Sequence, residues 1–575
     1  MKRLVSILLT LTMVISLAGC SKKSEETTKK TKTKKTSETE TEETLPPESD
    51  TEETETETEE TEEPTSSETE ESTKPSKSDS SGLSDYTISP DFAIRSDLKK
   101  LDYIMTKEYR AYGFVASSED NKIYSVTKDV DVLTIKDEEN YSQLWNSLDG
   151  IYPALNTNYD DLYDQKLPSY VDGSATGSFA VTSHTYVVRS DSDVFSFITY
   201  QNTYDLASSS DKTTYKVWNY RSGDSMEYNL NDIVSDRPGF ANFFAEYLDG
   251  AKSMKENPHL MQEVEYLAGK ISDPNAEVPF LITYDGLFII YTDDYEFNMF
   301  KIPACYAGDY IDMSLFGTTP ETYALQSDVY DHIIWDVDGD GKMDKIIATS
   351  ETDEYGCLIN FGIAFNDKVE SIPEDGLEIS GLMLDKIYLL KTDDGFYVYA
   401  DMYSEDAFPT VAVFKFDGSS FKFQNFFNNS LPSIHIDGFF FDPENFTIVS
   451  STDIMGTGYV IEYVSVKGNN GFPQKTQNLG GRYTIAATKQ ELSVDKFNSK
   501  GAPDGKATLP ANAVFVVRGI DLESRTLLCE YLDADASKNF YFQLTVDPAS
   551  GEDDWSLKYN GIEQNDLFQG IFYAG

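Results

Sequence analysis

The stretch from Ser21 to Ser84 sets the first limit on this 575-residue chain, because it holds almost nothing that a core could use. It is built from Thr, Glu, Ser and Lys. It opens basic at Lys22, Lys23, Lys29, Lys30, Lys32, Lys34 and Lys35, and turns acidic near Glu38. With no apolar area to set against the entropy of ordering, residues 21–84 are predicted to be a disordered tether. A flexible coil of that length has a reach of roughly 45 Å, and more with charge repulsion. Folded mass therefore starts near residue 85. At roughly 150 residues per domain the chain has room for two to four domains. Hydrophobic residues at 39% and aromatics at 13% are enough for a core.

Ahead of the tether, Met1 to Cys20 read MKRLVSILLTLTMVISLAGC. Lys2 and Arg3 are a short cationic start, and Leu4 to Leu17 form an apolar run too short for a comfortable membrane span. Small residues then lead into Cys20, whose thiol is suited to accept diacylglycerol. The segment resembles a bacterial lipoprotein signal with its lipobox. The resemblance implies cleavage before Cys20, lipidation at Cys20, and a protein held at the outer face of the cell membrane. No later run is long enough to cross a bilayer.

Charge and cysteine content narrow the partners. Asp and Glu number 99 against 47 Lys and Arg, a net of −52. A field of that sign repels phosphates, so nucleic acid is excluded as a partner. Cys305, Cys357 and Cys529 remain after lipidation. They sit far apart in apolar contexts and are expected to be buried free thiols, with one disulfide as the alternative. Tyr at 37 and Phe at 34, beside 4 Trp, fit a strand-rich extracellular protein.

Residues 85–317 read as α+β. Val130 to Ile135 alternates as a strand. A helix follows on Tyr141, Leu144, Trp145, Leu148 and Ile151, closing at Gly150 and Pro153. Strands are expected at Ser178–Arg189, Val194–Tyr204 and Tyr215–Tyr220, the last turning at Arg221–Asp224 and returning through Met226 to Leu230. Phe240, Phe243, Phe244, Tyr247 and Leu248 form one helix face, and Phe280 to Tyr291 a hairpin. The runs Val187–Tyr204, Tyr215–Asp236, Phe280–Thr292 and Cys305–Leu315, taken in order, resemble the extracellular domain of anti-sigma-V factors, also an accessory domain of a peptidoglycan deacetylase. The resemblance implies lysozyme or peptidoglycan as a partner. The lipobox stands where an anti-sigma factor would have a membrane helix and cytoplasmic arm, so holding a sigma factor is not implied. The stretch with Asp293, Asp294 and Glu296 is longer and more acidic than that family's.

Residues 318–481 carry the sharpest chemistry. Asp336, Asp338, Asp340 and Asp344 form a DxDxDGxxD loop between two expected strands. Calcium takes roughly six to eight oxygens at about 2.4 Å, and alternate residues of a tight loop can aim carboxylates at one centre. Gly339 and Gly341 allow the positive φ of such a turn, and Lys342 offers its carbonyl. An EF-hand would want an acid at position twelve, where Ile347 stands, and flanking helices. The loop is similar instead to the inter-strand calcium loops of integrin-type propellers, with a structural ion. Hairpins turning at Asp393–Gly395 and Asp417–Gly418, and short strands over Phe439–Val466, make this segment β-rich and propeller-like.

Residues 482–575 carry strands at Tyr483–Thr488, Ala513–Arg518, Thr526–Leu532 and Phe540–Val546, read as a small SH3-like barrel, with Trp555–Gly575 docked. Catalytic motifs are missing: there is no GxSxG elbow, no HExxH, and His184, His259, His332 and His435 are scattered. A non-catalytic, surface-anchored binding protein is the expectation. A wall hydrolase or deacetylase, or a structural envelope lipoprotein, are the alternatives.

Overall fold

The computed structural model describes residues 86–571, apart from 117–121, 251–257, 294–296, 329–331, 354–356, 374–381, 404–408, 428–433, 499–501 and 549–556. The leader with Cys20, the tether, Asp294, Glu296 and Trp555 lie outside the described residues. The described chain is strand-rich.

The first sheet is ordered β1-β2-β3-β4-β5, comprising β1 (Tyr103–Val115), β2 (Ile123–Ile135), β3 (Phe179–Ser190), β4 (Val194–Asp205) and β5 (Ser210–Arg221). Neighbours are antiparallel except β2 and β3. That parallel pair is joined by α1, which runs from Ser142 to Val171. The expected stop at Pro153 is wrong: Pro153 and Pro168 both lie inside the helix. Tertiary packing overrides the breaker. Beyond Pro153, Tyr159, Tyr163 and Tyr170 are buried against Val126, Val130, Phe179 and Val181, and stopping early would strip that face of its cover. The helix ends instead at Val171, and Gly173 just beyond its cap, at a φ of 75°, suits a left-handed stop.

No strand returns through Met226 to Leu230; a single bridge, Tyr220 to Glu227, is made. The Asn229 side chain accepts from the Asn231 N–H, and Asp232 reciprocates as a capping box, so the chain turns into a short helix, α2 (Leu230–Ile233). The expected aromatic helix forms as α3 (Arg237–Gly250). A further helix, α4 (Pro258–Ser272), carries Leu260, Val264, Leu267 and Ile271, all buried at helical spacing. The hairpin forms as β6 (Phe280–Ile282) and β7 (Gly286–Thr292), extended by β8 (Phe297–Pro303).

Two antiparallel sheets follow. One is β10 (His332–Trp335), β11 (Asp344–Thr352), β12 (Leu358–Phe365) and β13 (Lys368–Ser371) in sequence order. In the other, β9 (Tyr323–Asp328) pairs with β14 (Met383–Thr392), followed by β15 (Gly395–Tyr403), β16 (Thr410–Phe416) and β17 (Phe421–Phe426). One hydrophobic core runs from Phe92 to Phe426 with no break at residue 317. The last sheet begins at β18 (Ile434–Ile436), β19 (Phe446–Thr452) and β20 (Gly458–Ser465). It continues through Gly480–Gly481 into Val514–Asp521, Thr526–Tyr531 and Phe540–Thr545. The strands expected near the C-terminus form, but within this twelve-stranded sheet. Hydrogen bonding crosses residue 481, and among the described residues no sheet closes into a barrel. No described helix is long and apolar enough to cross a membrane.

Candidate metal centre

The acidic loop joins β10 to β11, as the flanking apolar runs imply, and the two strands pair from His332–Ile347 to Trp335–Asp344. Its root is rigid. Trp335 is fully buried, packs edge-on to Phe92 and Tyr323, and donates to the Tyr323 hydroxyl at 2.6 Å. From that anchor the chain turns sharply, with Gly339 at φ 74° and Gly341 at φ 82°. L side chains rarely adopt these values.

Backbone N–H groups orient the carboxylates. Asp336 accepts from Gly339 at 2.8 Å and Gly341 at 3.1 Å. Asp338 accepts from Asp340 at 3.1 Å, and Asp340 from Lys342 at 2.8 Å. As a result, one oxygen from each of Asp336, Asp338 and Asp340 lies within 4.8 Å of the others. Each oxygen keeps a second lone pair free for an ion. An all-oxygen set on a partly exposed loop suits a hard cation such as calcium.

The other two predicted ligands sit differently. Asp344 is buried at the start of β11 and clamps the loop, accepting from the Val337 N–H at 2.9 Å and the Asn366 side chain at 2.8 Å. It is not among the three gathered carboxylates. Lys342 lays its ammonium 2.9 Å from Asp340. That hydrogen bond holds the Asp340 carboxyl below its usual value. The Lys342 side chain is 83% exposed, so it can leave.

The remaining reactive side chains are dispersed. Cys305 and Cys529 are buried, Cys357 is half-buried, and none of the three forms a disulfide. Burial pushes the Cys529 thiol up, which makes it inert. His332 is buried with its Nε2 2.9 Å from the Tyr306 hydroxyl.

Sequence reasoning missed one constellation. In the β1–β2 ladder Lys107 stands opposite Asp131, and Tyr109 opposite Asp129. The Lys107 ammonium lies 3.3 Å from both Asp129 and Asp131, and the Asp131 carboxylate 3.4 Å from His184 on β3. Burial alone would lower the Lys107 ammonium, but the two carboxylates hold it well above its usual value. Burial would likewise raise Asp131, and Lys107 and His184 hold it well below instead. The signal was present: charged residues at alternate positions of two strands share one face. Their meeting with His184 depends on the β2–β3 pairing, which no local pattern announces.

No protein-family model matches this chain, and no curated protein matches it. Two solved structures of the DUF3298 family are similar to part of it. One, from Bacteroides fragilis, is 10% identical with a TM-score of 0.28, covering 37% of this chain and 95% of its own. The other, from Pseudomonas aeruginosa, is 13% identical with a TM-score of 0.26, covering 37% of this chain and 96% of its own.

Proposed function

We propose that this chain is a lipid-anchored, non-catalytic binding protein at the outer face of the cell membrane, steadied by a structural calcium ion and capturing a basic protein such as lysozyme or an envelope component such as peptidoglycan. The observation that carries the partner is charge. An excess of 99 acidic over 47 basic residues attracts a cationic protein and steers its encounter. The run Leu17–Cys20 and the core-free stretch behind it support the location. The resemblance of residues 85–317 to a lysozyme-sensing domain supports the choice of lysozyme, and the two hairpin-built sheets between residues 323 and 426 support the propeller-like reading of that segment. Gathering of Asp336, Asp338 and Asp340 supports the ion, with Asp344 holding the loop in shape.

The test is retention of lysozyme, and separately of purified sacculi, by the full chain at low salt. Retention that weakens as salt rises is expected. Absence of retention on both refutes the reading. Release of reducing ends or acetate from peptidoglycan, abolished by a single carboxylate substitution, would establish the hydrolase instead. Mass spectrometry of the native N-terminus checks for lipid on Cys20.

A further inference from the structure

Charge is buried most completely where β8 passes the turn between β6 and β7. Among the described ion pairs, Lys301 on β8 and Asp285 in that turn form the one lysine pair with both side chains less than a tenth exposed, at 2% and 6%. Lys128 is as deeply buried, but its partners Glu108 and Asp160 are open to water. Lys100 and Lys107 are each shared between two carboxylates and sit nearer the surface. Arg189 is enclosed with Asp191, but a guanidinium keeps its proton and cannot act as a nucleophile.

The surroundings are apolar and fixed. Lys301 stands opposite Phe288 in the β7–β8 ladder, with its ammonium 5.9 Å from the centre of that ring. Phe288 in turn belongs to a cluster with Leu281, Ile290 and Phe441. The Asp285 backbone carbonyl accepts from the Ala304 N–H at 2.8 Å. Gly286 lies so close to the Ile302 carbonyl that no Cβ would fit between them, so the turn is held hard against β8.

Two further polar groups flank the pair. Lys301 Nζ donates to the Gln326 carbonyl on β9 as well as to Asp285, and Asp285 Oδ1 accepts from the Thr283 hydroxyl at 2.9 Å. An ammonium carries three N–H donors, and the described residues offer this one two acceptors. An amide needs less: one acceptor for its N–H and one donor for its carbonyl. Gln326 and Thr283 are placed to supply those two.

We propose that Lys301 and Asp285 condense into an isopeptide bond, a covalent staple between the β6–β7 turn and β8. The inference is independent of the ligand and of the calcium loop. The ammonium passes one proton to Oδ2, which burial favours because both partners become neutral. The amine nitrogen then attacks Cγ, and the contact between the pair holds them near the roughly 3–3.5 Å of a near-attack geometry. The Thr283 hydroxyl steadies the charge that develops on Oδ1. The nitrogen gives a second proton to Oδ2, the Cγ–Oδ2 bond breaks, and that oxygen leaves as water. Two of the ammonium protons end in the water and the third stays on the amide nitrogen, facing Gln326. No oxidant or reductant is needed.

Peptide mapping of the full, denatured chain by mass spectrometry reads this directly. Trypsin should fail to cut after Lys301, so that one peptide runs from Ile271 to Lys342 and is lighter by one water. A second digestion at aromatic residues should leave the segments holding Asp285 and Lys301 joined. In Lys301→Arg, cutting at residue 301 should return together with the full mass. A linear 271–301 peptide of full mass from the unaltered chain overturns the proposal. A water-light peptide that is still cut after Lys301 is an imide at Asp285–Gly286 and overturns it too. Should the variant fail to fold, the map of the unaltered chain decides alone.

Discussion

The Asp336–Asp344 loop and the charged groups around Lys107 are both clusters of acids, yet they are built in opposite ways. In the loop, the gathered carboxylates come from one short run, Asp336 to Asp340, the turn is fixed by two glycines, and those carboxylates are half-exposed or exposed. In the other region the groups come from β1, β2 and β3 and are largely buried. Exposure decides what each can answer to. Carboxylates in water stay ionised and await a cation, whereas buried ones must be paired or neutral, so protons govern them.

The largest expected effect comes from removing the loop's footing. Trp335→Ala should cost about 3–5 kcal/mol, because a fully buried indole leaves a cavity between Phe92 and Tyr323; chemical denaturation measures it. A loss under about 1 kcal/mol would mean the loop is not anchored there. Next is Lys107→Met, which removes the ammonium shared by Asp129 and Asp131 and should cost about 3 kcal/mol at neutral pH. Calcium at a hundredfold over its dissociation constant should stabilise the unaltered chain by about 2.7 kcal/mol. That gain should vanish in Asp338→Asn/Asp340→Asn while Lys107→Met retains it, and loss in both would erase the distinction between the regions.

Acid sharpens the contrast further. Asp131 is held low, so its stabilising contribution is present above about 3.8 and is lost as pH falls through its folded value. Asp131→Asn should therefore flatten the most acidic limb of a stability-against-pH curve, and an unaltered limb in that variant would contradict the pairing. The smallest effect belongs to Lys342→Ala. It should leave the melting temperature unchanged, since the pair with Asp340 is solvent-exposed, while tightening calcium binding by removing a competing cation.

Legibility in the sequence followed the same divide. The acidic loop, the hairpins at Gly395 and Gly418 and the aromatic face of α3 are local, and each formed where the residues placed it. β1 was overlooked although its half-buried positions alternate with exposed ones along Tyr103–Ala111. The end of α1 was misplaced because Pro153 was read by intrinsic propensity, while the packing that carries the helix on to Val171 is supplied by strands far along the chain. Asp344 carries the same lesson: spacing made it a fourth ligand, but Asn366, from the turn after β12, recruits it into the clamp. Joining of the 434–465 strands to those beyond residue 485 depends on pairings between distant segments, which composition does not reveal.

Calorimetric titration of the full chain with calcium tests the central claim most directly, because the loop is where sequence pattern and geometry meet in one chemistry. The account predicts a single site whose heat disappears in Asp338→Asn/Asp340→Asn. No heat in the unaltered chain, or an undiminished signal in that double variant, would contradict it.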